Sequence, residues 1–179
     1  MKKSNFLKRY LSEFVYGAVD GTVTTFAVVA ASAGAGVSSA IILILGVANL
    51  VADGFSMGAS AFLAAQAEND ESGGRSTKHA SPHIIAAATF GAFILVGSIP
   101  VLPYFFDVVS RGKTASFTLF YISSVATALT FLAIGFVKGK VGGESAIKSA
   151  LVTFLLGAIA AGLAYFAGDL LAMWLGVEL

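Results

Sequence analysis

The stretch Gly46–Ser60, GVANLVADGFSMGAS, decides how this chain is read. It lies inside a hydrophobic run long enough to cross a bilayer, yet it carries Asn49, Asp53 and Met57 at i, i+4 and i+8. On a helix that spacing stacks all three on one face. A carboxylate at mid-bilayer costs about 2.5–3.5 kcal/mol on insertion scales, so a chain that keeps one has a use or a partner for it. The preceding apolar run repeats the pattern: Asp20 sits in VYGAVDGTVTTFAVVA (residues 15–30) and is again followed by glycine. Two Asp-Gly pairs within apolar runs, one with a thioether a turn later, outline a cation site.

The rest of the chain fits a membrane setting. Of 179 residues, 57% are hydrophobic and only 12% charged, against about 25% charged in soluble domains. Mean hydropathy is +0.87. The fold class expected is an all-α integral membrane protein. Net charge is +1, so no basic field points to nucleic acid. With no cysteine there are no disulfides, zinc-thiolate sites or iron–sulfur ligands.

Working outward from the two Asp-Gly runs, the chain reads as a single five-helix transmembrane domain, with helices at about 14–33, 39–67, 82–106, 115–137 and 145–175. The basic start MKKSNFLKRYLS followed by an apolar run also resembles a signal peptide. Asp20 near the start of that run favours a membrane helix instead. The second helix, about 43 Å at 1.5 Å per residue, exceeds a hydrocarbon core of about 30 Å and should tilt or project into water. Ser81 is placed to cap the third helix, with Pro82 in its first turn. Pro100 and Pro103 predict a kink or break near its end. Trp174 is placed as an interfacial anchor. With the N-terminus cytoplasmic, nine of the lysines and arginines fall inside and only Arg111 and Lys113 outside, a strong positive-inside asymmetry.

Asp20 has Thr22, Thr24 and Thr25 within a turn. It is either a cation or proton site or a helix-packing residue bonded to hydroxyls. Asp53 with Met57 joins a hard oxygen to a soft thioether. Calcium and magnesium take oxygens only, whereas Fe²⁺ or Mn²⁺ suits the mixture. Asn49 adds a carbonyl oxygen or bridges helices. Gly17, Gly21, Gly46, Gly54 and Gly58 are expected to seat the first helix closely on the second. Glu13 flanks an entrance or simply favours the helix dipole. The 68–81 loop, with Glu68, Asp70, Glu71 and His79, and His83 just beyond it, either gathers metal or is plainly solvated. Asp169 reaches the outer interface. There is no Walker loop, GxSxG or HExxH, so no enzyme is expected and transport would run on gradients.

The segments DG-x-x-T-x-F (Asp20–Phe26) and ADG-x-SM (Ala52–Met57), with five helices and an overlong second one, resemble the vacuolar iron transporter family. The resemblance implies a homodimer with a metal path between the first two helices. It implies export of Fe²⁺, and of Mn²⁺ or Co²⁺, from the cytosol in exchange for protons. By matching position it makes Asp20 and Met57 metal ligands, with Asp53 and Asn49 lining the same path. No resident cofactor is implied; the metal is cargo. Two departures stand out. The large acidic, Met-rich insertion between helices 2 and 3 of many members is replaced here by about fifteen residues. A Gly-Glu-Tyr after the Ser-Met is replaced by Ser60-Ala61-Phe62.

The expectation is therefore a proton-coupled divalent transition-metal transporter, of the inner membrane and with lipid as its surroundings. The alternatives are a non-transporting scaffold or sensor of the same fold, and a carrier of an organic cation or small solute.

Overall fold

The central element is α1 (Lys2–Gly34), whose buried positions Ala18, Thr22, Thr25, Val29 and Ser32 recur every three or four residues. That spacing gives one continuous inward stripe. The computed structural model describes residues 2–71, 81–111, 114 and 116–176. It continues as α2 (Ser39–Glu71), α3 (Pro82–Gly97), a 3₁₀ turn at Ile99–Val101, α4 (Leu102–Val109), α5 (Ser116–Gly142) and α6 (Ala146–Leu175). Five spans are long and apolar enough to cross a membrane, α3 through α4 forming the third. The chain is an all-helical membrane protein, with no strand among the described residues.

Several boundaries differ from those read from sequence. α1 extends N-terminal of its apolar run, and α2 runs on to Glu71. The third span is interrupted: Pro100 lies in the 3₁₀ turn and Pro103 opens α4, where its missing N–H is harmless. Ser123 Oγ donates to the Pro100 carbonyl at 2.6 Å, so that break is tied to α5. Ser81 occupies the N-cap of α3 with extended backbone, but its hydroxyl makes no capping bond. The capping bond occurs instead at α6, where Ser145 Oγ accepts from the Lys148 amide at 3.4 Å.

Between α1 and α2 the chain turns through Gly36, whose φ of 65° suits a residue without a side chain. The core gathers Phe26 and Val29 of α1 with Ile42, Leu50, Phe93, Val101, Tyr104 and Leu119. The outer surface is apolar, with Leu95, Phe117, Leu163 and Phe166 turned outward, as lipid-facing helices require. Trp174 is exposed at the end of α6. Asp169 is half-buried, its backbone lying beside Gly34 at the C-terminal end of α1.

The glycines correct one expectation. They do not seat α1 on α2. A Cβ at Gly17 would overlap the Thr89 carbonyl, and one at Gly21 would lie 2.7 Å from the Phe93 carbonyl oxygen. Gly54 and Gly58 of α2 face Phe90, Phe93 and Ala86. Gly46 faces Val101. All five receive the third span, so α1 and α2 each lean on that span and stand apart from one another along their polar faces.

Candidate metal site in the α1–α2 cleft

The gap left between α1 and α2 is a cavity of about 520 Å³. Glu13, Tyr16 and Asp20 line it from α1; Asp53, Ser56, Met57 and Ser60 line it from α2, with Ala61 and Ala64 below. Each Asp-Gly pair now has a physical reading. Successive helical residues point about 100° apart. The aspartate therefore faces the cleft while the following glycine admits Phe93, which is fully buried between Gly21 and Gly54. Phe93 is the wedge behind both carboxylates.

Asp20 is half-buried, Met57 is half-buried and packs against the core cluster, and Asp53 is exposed. Asn49 lies one turn before Asp53 in α2 and does not line the cavity. Its amide oxygen accepts from Thr25 Oγ1 at 3.2 Å, and its amide nitrogen donates to Asp53 Oδ2. The arrangement is a relay from α1 through Asn49 to the Asp53 carboxylate, which fixes that carboxylate's orientation across the helix gap. The other threonines near Asp20 do not reach its carboxylate. Thr22 Oγ1 donates to the Ala18 carbonyl at 2.7 Å, and Thr24 Oγ1 to the Asp20 carbonyl at 2.9 Å. Threonine hydroxyls in helices satisfy themselves this way on the preceding turn.

Three groups went unremarked as site residues in the sequence: Tyr16, Ser56 and Ser60. The signal was available. Glu13, Tyr16 and Asp20 are spaced i, i+3, i+7, and Asp53, Ser56 and Ser60 likewise, so extending the polar face by two turns finds them. In chemical terms the cavity offers three carboxylates, two hydroxyls, a phenol and a thioether. These are donor types that suit a divalent transition ion, hard oxygens with one soft sulfur, although the three carboxylates do not lie close enough together to cage one by themselves.

At the described ends of the α2–α3 connection the structure brings less together. His83 stacks obliquely on Phe62, ring centroids 4.9 Å apart. His79 lies outside the described residues. Among the described residues, no group of three or more His, Asp or Glu side chains is close enough to cage a metal by itself.

The profile of the VIT family matches residues 11–78 and 69–169. The chain is similar to the vacuolar iron transporter of Toxoplasma gondii, 26% identical over 238 aligned positions covering 98% of this chain and 79% of that protein. It is also similar to vacuolar iron transporter 1 of Eucalyptus grandis, 26% identical over 86% of this chain and 83% of that protein. The vacuolar iron transporter of Plasmodium berghei reaches 38% identity, over 35% of this chain and 23% of that one. The Toxoplasma alignment is longer than this chain's 179 residues, so the relative carries residues this chain lacks. The two profile matches overlap at residues 69–78, where α2 gives way to the connection before α3.

Proposed function

The chain belongs to the VIT family, transporters and not enzymes, and on that premise we propose that it carries Fe²⁺ through the α1–α2 cleft in exchange for protons. Mn²⁺ and Co²⁺ are further cargoes of the same site. The observation that carries this reading is the cavity itself: Asp20, Asp53 and Met57 meet in one cleft, with Glu13 toward its N-terminal end.

In this mechanism the ion leaves the cytosol past Glu13. It exchanges water for the Asp20 and Asp53 carboxylates and the Met57 thioether, and displaces protons from the carboxylates. Asn49 positions Asp53. The helices then reopen outward, the metal leaves, and protons from outside reload the carboxylates. One protomer leaves Asp53 exposed. A homodimer with the two clefts facing each other would cover that carboxylate and double the donor set around the path. The N-terminus is cytoplasmic on the charge asymmetry, and the membrane is the cell's inner membrane.

The deciding experiment is Fe²⁺ flux into sealed liposomes with a pH dye inside, for wild type and Asp20→Ala. The expected result is Fe²⁺ entry with counter-moving protons, lost in the variant while the protein stays folded. Flux in Asp20→Ala equal to wild type would overturn the site. No flux of Fe²⁺, Mn²⁺ or Co²⁺ from folded wild type would turn the reading to a scaffold that keeps the fold without transport.

A further inference from the structure

Away from the cleft, a second polar cavity lies where α5 hands over to α6. It holds about 480 Å³ and is lined by Lys138, Glu144, Ser145, Lys148, Ser149 and Val152. The turn is tight: Gly143 has a φ of 74°, and the Glu144 amide donates to the Gly139 carbonyl at 3.0 Å. Gly139 lets α6 approach so closely that a Cβ there would lie 2.7 Å from the Ala146 Cα. The cavity is therefore held between two rigid helix ends.

Its chemistry is cationic and unsatisfied. Lys138 and Lys148 both reach it, and neither forms an ion pair among the described residues, with Glu144 on the rim included. The neighbouring Lys140 is engaged elsewhere, its Nζ 5.4 Å from the centre of the Phe136 ring. Ser149 is 7% exposed and lines the cavity, and its hydroxyl, which has no hydrogen-bond partner among the described residues, is the part left open to it. The positive end of the 30-residue helix α6 adds to the field. Above the cavity an apolar stripe continues along α6 through Val152, Leu155 and Ile159, all exposed. Cations and an unpartnered hydroxyl open to the cavity, below an apolar stripe, match one amphiphile: headgroup low, acyl chain along the helix.

The geometry points to a binding site for an anionic phospholipid at the α5–α6 turn, its phosphate between Lys138 and Lys148 and one chain along Val152, Leu155 and Ile159. Basic pockets between membrane helices recognise anionic headgroups in this way. The site lies at the end of the bundle where the chain's positive charge is concentrated.

The test uses the full chain in detergent, titrated with dioleoylphosphatidylglycerol, dioleoylphosphatidylcholine and inorganic phosphate. Native mass spectrometry reads retention, and thermal unfolding reads stabilisation. Phosphatidylglycerol is expected to bind and stabilise in preference to phosphatidylcholine. The Lys138→Gln/Lys148→Gln variant should lose about thirtyfold in phosphatidylglycerol affinity, at the usual effect of a surface charge near anionic lipid. Lys140→Gln should bind as wild type does. Both variants change exposed side chains, and equal unfolding temperatures without lipid verify that they fold. Equal binding of the two lipids, or undiminished phosphatidylglycerol binding by the double variant, would overturn the proposal. Displacement of the lipid by inorganic phosphate at equal concentration would assign the cavity to a soluble anion and overturn it as well.

Discussion

The two sides of α1 differ in kind. Toward the third span it presents Gly17 and Gly21, and backbone meets backbone with no room for a methyl group. Toward α2 it presents Glu13, Tyr16 and Asp20, and the partner helix stands off across a 520 Å³ cavity. The first contact is a seal, the second a vestibule, and about 100° of rotation around one helix separates them. In a membrane no hydrophobic drive joins helices, so close packing of small residues must supply the association. Concentrating that packing on the third span leaves the α1–α2 face free for polar groups. Residues adjacent in sequence should consequently fail in different ways.

The sharpest test takes Asp20, on the open side. Asp20→Asn keeps the shape and removes the charge. Fe²⁺ flux should fall by more than about a hundredfold, beyond the 10–100-fold usual for loss of a supporting group around a metal. The unfolding temperature should not fall. Its neighbour Gly21 should behave in the opposite way. Gly21→Ala pushes a methyl group into the Phe93 backbone and should cost about 1–3 kcal/mol of stability in detergent unfolding. Metal competence should survive in whatever remains folded. If both variants lose flux and neither loses stability, the division between the two faces is wrong.

A smaller effect is expected one layer back from the cleft. Thr25→Val keeps volume but removes the hydroxyl that holds Asn49. The apparent KM for Fe²⁺ should rise about tenfold, as when a group behind a ligand is lost, with maximal flux retained. Smallest of all is Gly54→Ala. The new methyl would meet side-chain ends of Phe93 and Ile94 at 3.2 Å rather than backbone, and these can shift. The gain in helix propensity, about 1 kcal/mol, offsets the crowding. Stability should stay within about 0.5 kcal/mol of wild type, in contrast to Gly21→Ala.

Much of this was legible in the sequence because a bilayer makes composition informative. Five apolar runs give five spans, and a carboxylate inside one is costly enough to mark itself, as Asp20 and Asp53 did. What the sequence withheld was direction. Gly54 and Gly58 at i, i+4 announce a small-residue face, but nothing in that spacing says which neighbour fills it. The filler, Phe93, is one of 15 phenylalanines and carries no local mark. Threonines near Asp20 looked available to it, yet Thr22 and Thr24 have carbonyls of their own helix closer at hand. Ser81 stood at a helix start with the right side chain, and its hydroxyl is not used as a cap. In each case chain chemistry permitted two partners, and three-dimensional proximity chose.

The Gly46 notch that takes Val101 has a mechanical meaning. Gly46 is buried, and Val101 is clamped in the 3₁₀ turn whose Pro100 is tied to α5. That makes a fulcrum near one end of α2. Met57 lies eleven residues away, about 16 Å along the helix axis. A tilt of about 10° about the notch would swing Met57 by about 3 Å while displacing the fulcrum hardly at all. Such a swing exceeds a metal–ligand bond length of about 2.3 Å to sulfur, so a modest rocking of one lever would be enough to make or break the coordination proposed at Met57.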